Sequence, residues 1–507
     1  MNNNVVWLTI GLYILAMVAV GLVMGRKTKS LADFSVGGRN AGAWLSAMSY
    51  GTAYFSAVMF VGYAGGSGYR YGLWAVLAGV GNAVFGAWLA WKVLARKTRQ
   101  VTQRFKIKTM PQFLEMRYQS KSMKVFSSLV IFFFLIPYSA SVYKGLSSIA
   151  SVLLGVSDKP AMIIIALVSA LLLLLGGYLV QARADFIQGI VMMFGIVLML
   201  IFVIRSKQVG GLAGLKEYAA SAEGLPKLDL PAWSSLWSLV LMTSFGTWGL
   251  PHMIQKFYGI KNDEEAKRGI AITTFFAVLV AGGGYFIGSL CHRFYTMEEI
   301  AAFPAPAQDY IVPNMLKDSQ LPEVLVGIVF VLLLAASVST LTSITLTATS
   351  TLSMDLIKPV FLKNIRNEKL TSLTKALSLV FIVLSYLVAN TKTPILDMMS
   401  YSWGIISGSF FAPYLLALYW KKMNKTSAWA GILTGFFLAM PPAVAKMFLL
   451  TGWVEAPWLV SLANKGPNYA VVAMVASLLV CALVAALSSK KNNAGENDEF
   501  YGVVAAK

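Results

Sequence analysis

The feature that most restricts this chain is the recurrence, from residue 5 to residue 488, of apolar stretches about 20 residues long. The hydrocarbon core of a bilayer is about 30 Å thick, and a helix rising 1.5 Å per residue crosses it in roughly 20 apolar residues. Such stretches lie at about 5–25, 42–64, 72–94, 125–153, 160–179, 184–205, 235–256, 269–291, 323–355, 373–390, 397–420, 428–449 and 470–488, which predicts about thirteen crossings. Lipid offers no water to backbone N–H and C=O groups, so each crossing has to be helical, or irregular only where other helices shield it. Composition agrees. The 507 residues are 57% hydrophobic and 13% charged, whereas soluble domains carry about 25% charged residues. The 13 Trp, 21 Tyr and 29 Phe supply aromatic girdles. The reading is an all-α polytopic membrane protein.

A net charge of +20 is a property shared with nucleic-acid binders, so the placement of the charges decides its meaning. A long hydrophilic stretch after the third run carries Lys92, Arg96, Lys97, Arg99, Arg104, Lys106, Lys108, Arg117, Lys121 and Lys124. Further basic clusters are Arg26, Lys27, Lys29 and Arg39; Lys256, Lys261, Lys267 and Arg268; Lys358, Lys363, Arg366 and Lys369; Lys421, Lys422 and Lys425; Lys490 and Lys491. They fall on every second loop, while the alternate loops carry acids such as Glu298, Glu299, Asp309 and Asp318. That alternation follows the positive-inside rule and accounts for the basicity without a nucleic-acid partner. With an odd number of crossings it predicts an outer N-terminus and a cytoplasmic C-terminus in the inner membrane. Met1 to Asn4 bear no cation, so the first run reads as a retained helix and not as a signal peptide. Residues 1–490 are expected to form one transmembrane unit and 491–507 a disordered cytoplasmic tail. Cys291 and Cys481 are read as unbridged.

Two runs are unlike lipid-facing helices. The second contains Ala47-Met-Ser-Tyr-Gly-Thr-Ala-Tyr-Phe-Ser56, and the seventh contains Thr243-Ser-Phe-Gly-Thr-Trp-Gly-Leu-Pro-His252. Glycines and a proline at membrane depth interrupt helical hydrogen bonding. Two interrupted helices at matching places in two halves point to an inverted-repeat secondary transporter. The ninth run holds Ala335-Ala-Ser-Val-Ser-Thr-Leu-Thr-Ser-Ile-Thr-Leu-Thr-Ala-Thr-Ser350. Ala336, Ser339 and Thr340 share a face at helical spacing, and Thr342 and Ser343 lie one turn on. Hydroxyls and freed carbonyls suit a dehydrated monovalent cation, whereas Ca²⁺ demands several carboxylates. The alternative is that these hydroxyls bond back to the i−4 carbonyls and do nothing else.

Five segments in order carry a resemblance: Val36-Gly-Gly-Arg39; Gly176-Gly-Tyr-Leu-Val-Gln-Ala-Arg-Ala-Asp185-Phe-Ile-Gln-Gly189; Gly249-Leu-Pro-His252; Ala335-Ala-Ser-Val-Ser-Thr340; and Ala417 to Gly431, in which Ser427 stands where glycine is usual. From about residue 5 to 440 the chain resembles the sodium:solute symporter family, which includes sodium/proline and sodium/pantothenate symporters. The resemblance implies a leucine-transporter-like 5+5 inverted repeat, with core halves at about 42–205 and 235–420. It implies a sodium site made by the carbonyls of Thr52, Phe55 and Ala336 and the hydroxyls of Ser339 and Thr340. It also implies a possible second sodium at Asp185, Ser339, Thr342 and Ser343; the plainer reading of Asp185 is a salt bridge to Arg183 or a solvated interfacial charge. Na+, one ion or two, is the only bound species expected.

For the solute, the residues read as a pocket are Tyr54, Phe55, Ser56, Tyr138, Ser139, Thr243, Thr247 and Trp403, with Pro251 retained at the second break. Tyr54 stands where proline-transporting relatives have Asp, and Thr243 and Thr247 where they have Trp and Tyr. Gly249 to His252 and Tyr69-Arg-Tyr-Gly-Leu73 resemble the pantothenate branch. Hydroxyls among aromatic walls suit a small carboxylate-bearing solute, an amino acid such as proline, pantothenate or a monocarboxylate. Lys144 either adds a cation to the pocket or snorkels to the interface. His252 is read as packing or hydrogen-bonding, and His292 as interfacial. The expected protein is a sodium symporter, a monomer or weak oligomer with only lipid and solute as partners; a proton-coupled carrier and a transporter-like sensor are the alternatives. No nucleophile–base pair or phosphate loop suggests an enzyme.

Overall fold

The computed structural model describes residues 4–26, 31–391, 393–452, 456–488 and 500. Its principal helices are α1 (Asn4–Gly25), α2 (Ala43–Tyr54), α3 (Met59–Arg104), α4 (Lys121–Leu154), α5 (Asp158–Arg205), α6 (Leu230–Phe245), α7 (Pro251–Tyr258), α8 (Asp263–Arg293), α9 (Glu323–Val360), α10 (Asn367–Ala389), α11 (Ile395–Tyr419), α12 (Lys425–Thr451) and α13 (Gly466–Leu487). No strand occurs among the described residues; an isolated bridge pairs Ala41 with Ile260. Ten helical runs among those residues are long and apolar enough to cross a membrane, two of them within α5. The other expected crossings fall on α2 with the start of α3, on α6 with α7, and on the serine-rich α11, so length and apolarity account for ten of the thirteen.

Local chemistry explains the joints. The runs expected at 160–179 and 184–205 form one helix that turns at Gly177, whose φ of +58° suits glycine and where a Cβ would strike the Phe34 ring. Gly72 (φ +55°) serves α3 in the same way. α8 starts where Asn262 accepts from the Glu265 N–H at 2.9 Å ahead of an acidic first turn. α12 starts on a capping box between Asn424 and Ser427, so a serine in the place of the usual glycine does structural work there.

The hydrophilic stretch from Lys92 to Lys124 is mostly helix and not open loop. α3 runs on to Arg104, and a short helix, Met110–Tyr118, is capped by Thr109. Arg39 donates to the carbonyls of Thr102 and Ile107, both at 2.6 Å, and Arg96 and Arg99 pair with Asp263. Lys27, Lys29, Lys490, Lys491 and the tail expected at 491–507 lie outside the described residues, Phe500 excepted. Phe500, the one described residue of that tail, is buried against Phe105, Phe113 and Arg117. Cys291 and Cys481 are buried free thiols.

α9 is the most enclosed of the apolar helices and packs along α5 and α4. α2 rests on α5, α8 and α9, and α7 touches α2 and α9. Both interrupted segments thus lie against one buried, hydroxyl-bearing helix.

Candidate functional site: a cation cradle beside an aromatic pocket

α2 ends because Phe55 leaves helical geometry (φ −109°, ψ 108°), and its N–H closes the last turn on the Gly51 carbonyl at 3.1 Å. The last carbonyls of a helix have no intrahelical donor, and they carry the negative end of its dipole. Here they meet α9. The Thr340 hydroxyl lies 3.2 Å from the Thr52 carbonyl, 3.3 Å from that of Ala53 and 3.0 Å from that of Ala336. The Ser339 hydroxyl lies 2.9 Å from Thr52 Oγ1. Carbonyl and hydroxyl oxygens from α2 and α9 therefore converge in a buried site. Of the five residues expected at the sodium site, Thr52, Ala336, Ser339 and Thr340 are brought together. Phe55 marks the break, and Ala53 adds a carbonyl that was not expected. Its signal was only that it belongs to the last turn before the interruption.

Asp185 lies alongside, wholly buried on α5. Its Oδ1 accepts from Ser339 at 2.6 Å, and its Oδ2 accepts from the Ser49 hydroxyl. Neither plain reading of Asp185 holds: it is not solvated, and its ion-pair partner is Lys256, with Nζ 3.1 Å from Oδ2, and not Arg183. Lys256, counted above among cytoplasmic loop cations, is 2% exposed. It also lies 2.9 Å from Ser49 Oγ. Gln181, turned so that its carbonyl oxygen faces donors, accepts from Lys256 Nζ at 3.0 Å, from the Ser343 N–H at 3.1 Å and from the Ser343 hydroxyl. Ser343 thus joins this group through Gln181. Thr342 bonds back to the Val338 and Ser339 carbonyls at 2.9 and 3.0 Å.

On the other side of the break the walls are aromatic. The Tyr54 hydroxyl donates to the Thr243 carbonyl at 2.6 Å, tying the first interrupted segment to the second. Its ring stacks on Phe55 (4.1 Å between centroids) and lies 6.3 Å from Trp403, which meets Tyr138 edge-on at 5.6 Å. His252 packs on Tyr138 at 5.5 Å. The second interruption unwinds through Gly246–Trp248 to Leu250, and Pro251 opens α7 with φ already suited to a first helical turn. The Gly246 carbonyl is taken by the Ser407 hydroxyl at 2.6 Å. Thr243 and Thr247 bond back to the Leu239 and Ser244 carbonyls, both at 2.9 Å, and Ser56 accepts from the Val58 N–H at 3.3 Å. The Ser139 hydroxyl and both ring nitrogens of His252 find no partner among the described residues, although each residue is buried. Lys144 does not reach this pocket; its Nζ donates to the carbonyls of Thr391 (3.0 Å) and Thr393 (2.7 Å). His292 stacks on Tyr69.

Two unwound helices crossing a hydroxyl-bearing helix, with an oxygen cradle at one crossing and an aromatic cage beside it, define a leucine-transporter-like carrier. The chain belongs to the sodium:solute symporter family, whose model matches residues 34–435. It is 26% identical over 479 residues to the osmoregulated proline transporter OpuE of Bacillus subtilis, covering 93% of this chain and 94% of that one. It is 26% identical to the sodium/pantothenate symporter of Escherichia coli over 437 residues, 83% and 87% of the two chains. Its fold is shared with a Na+-coupled sialic acid symporter solved in a substrate-bound outward-open state: TM-score 0.76, 17% identity, 95% and 97% coverage. The protein is accordingly a multi-pass sodium-coupled symporter and not an enzyme.

Proposed function

We propose that the chain imports a small carboxylate-bearing solute, an amino acid such as proline, pantothenate or a monocarboxylate, by alternating access driven by inward sodium flow. Residues 1–490 act as one transport unit, the N-terminus faces outward, and a single chain carries the whole path. Sodium is held by the oxygens of Thr52, Ala53 and Ala336 with the hydroxyls of Ser339 and Thr340. Tyr54, Ser56, Tyr138, Ser139, Thr243, Thr247, Pro251 and Trp403 surround the solute, and His252 is added to them because its buried nitrogens are free to meet a polar group. The observation that carries this reading is the meeting of the freed carbonyl end of α2 with Ser339 and Thr340.

The coupling follows from shared geometry. Sodium ties the end of α2 to α9, and the next residues, Tyr54 to Ser56, wall the solute pocket. Each ligand stabilises the same arrangement of the break, so each raises the other's affinity by the same factor. A membrane potential supplies about 2.3 kcal/mol per 100 mV for each sodium moved.

Uptake of proline and of pantothenate into vesicles containing the purified protein tests the reading. Ser339→Ala and Thr340→Ala each remove one oxygen, and the sodium concentration for half-maximal uptake should rise about tenfold, about 1.4 kcal/mol. Unchanged sodium dependence in both variants rejects the site. Uptake driven by a pH gradient in sodium-free buffer rejects sodium coupling in favour of protons.

A further inference from the structure

Beside the sodium cradle lies a second, complete cation, buried and tethered to the chain. We propose that the Lys256 ammonium fills the position a second sodium would take beside Asp185, so that one sodium, and not two, accompanies each solute. The inference rests on the sodium site just described, because it concerns what shares Asp185 and Ser339 with that site.

The donor count supports it. An ammonium has three N–H groups and no acceptor. Three acceptors surround Lys256 Nζ: Asp185 Oδ2 at 3.1 Å, Ser49 Oγ at 2.9 Å and the Gln181 carbonyl at 3.0 Å. The Tyr178 ring face adds a fourth contact, 5.3 Å from centroid to Nζ. Every N–H is therefore used and the cation is fully coordinated. The oxygens a second ion would take are committed as well. Asp185 Oδ1 holds the Ser339 hydroxyl, Ser343 is bonded to Gln181, and Thr342 is turned to its own helix backbone. A sodium at ion-contact distance from Asp185 would stand a few ångströms from Lys256 in a buried site. There, like charges repel more strongly than in water, and one carboxylate cannot neutralise both.

The placement also assigns the lysine a positioning role. The Ser339 hydroxyl stands between the carboxylate and the cradle, 2.6 Å from Asp185 Oδ1 and 2.9 Å from Thr52 Oγ1, and a carboxylate is the stronger acceptor for its one proton. Lys256 neutralises the carboxylate that orients Ser339, and so holds the first site in binding form without entering it. It also links α7 to α2 through Ser49 and to α5 through Asp185, joining helices from both interrupted segments.

The test counts ions on purified full-length protein, with radioactive sodium binding at equilibrium and sodium-dependent thermal unfolding, N-methylglucamine chloride holding ionic strength. The wild type should bind one sodium per chain with a Hill coefficient near 1. Lys256→Met leaves Asp185 without its counter-ion and opens its oxygens; this variant should bind two sodium ions, with a Hill coefficient above 1. Its unfolding temperature should depend far more steeply on sodium than the wild type's, with no rescue by N-methylglucamine. Lys256→Met/Asp185→Asn removes both charges and serves if the single variant is unstable without salt; it should return to one sodium per chain. Two ions on the wild type, or one on Lys256→Met with wild-type salt dependence, overturns the proposal. Thr340 lies outside the lysine's contacts, so Thr340→Ala separates the two readings. If it leaves wild-type sodium binding unaltered, the cradle is wrong, whereas a cradle that weakens with Thr340→Ala beside an unchanged count in Lys256→Met condemns only the lysine's role.

Discussion

Both sides of the break at Phe55 carry serine and threonine hydroxyls, and they are finished differently. On the cation side, Thr52, Ser339, Thr340, Asp185, Ser49, Gln181 and Lys256 all have partners, and most of those partners are on another helix. On the solute side, the Thr243 and Thr247 hydroxyls donate to carbonyls of their own segment, and Ser139 and His252 keep buried polar atoms without partners among the described residues. A satisfied polar network in a low-dielectric interior is stiff and specific. An unsatisfied buried donor or acceptor costs about 1–3 kcal/mol until something meets it. A coupling ion has one size and one charge, so its cradle can be completed by the protein alone. A solute pocket is completed by the solute.

If that contrast is right, breaking the network on the cation side should do the most damage. Asp185→Asn leaves the Lys256 ammonium buried without its counter-ion, and removal of one member of a buried pair typically costs about 3–5 kcal/mol. Thermal or denaturant unfolding in detergent should show that loss, and Lys256→Met added to Asp185→Asn should recover most of it, because the pair acts as one unit. Additive losses in the double variant would mean that the two charges do not depend on one another, and the stiff side of the comparison would fall.

A smaller effect is expected on the solute side, and it should be confined there. His252→Ala removes the ring that packs on Tyr138 with its two free nitrogens. Solute affinity, read from solute-induced thermal shift at saturating sodium, should fall by about 1–3 kcal/mol, the worth of one or two polar contacts. Sodium affinity measured without solute should be unchanged. A matching loss of sodium affinity would show that the pocket and the cradle are one site.

What could be read from the sequence divides along the same line. The interruptions at Tyr54–Ser56 and Gly246–Pro251 were legible because glycine or proline stands among small and hydroxyl residues at matching places in the two halves, whereas Pro137 and Pro413 sit inside unbroken helices. The hydroxyl face of α9 was legible from helical spacing. Lys256 was not. It stands at the end of an apolar run, where lysine ordinarily snorkels to the interface, and the positive-inside pattern absorbed it without remainder. Its partner Asp185 is 71 residues away, and only the packing of α7 on α2 beside α5 brings them together. The one local sign is that His252 and Lys256 share a helix face four residues apart, which places the lysine on the side turned inward with the histidine. The fate of Lys144 was illegible for a related reason: the carbonyls it meets, those of Thr391 and Thr393, belong to a loop whose path no periodicity describes.

The smallest expected change in ligand affinity comes from Asp309, which is outside both the cradle and the pocket. Asp309, in the segment between α8 and α9, is buried; its Oδ2 accepts from the Ile395 N–H at 3.2 Å at the start of α11, and its Oδ1 has no partner among the described residues. Burial pushes its carboxyl up to about 7, against the opposing pull of the Lys144 ammonium and the Ile395 N–H, with Asp397 adding a further push upward. A carboxyl raised in the folded state binds a proton there that the unfolded chain has already released, so stability falls as pH rises from about 4 to about 7 and then levels. Asp309→Asn removes that dependence, and the stability gap in favour of the variant should open between those pH values and stay open above them. Trp403 lies eight residues along α11 from the anchored Ile395, about 12 Å at 1.5 Å per residue. If the anchor also positions the pocket, solute affinity should weaken over the same pH interval in the wild type and not in Asp309→Asn, while sodium affinity without solute follows pH equally in both. A sodium affinity that tracks Asp309 instead would mean that the stiff side is not insulated from the segment between α8 and α9.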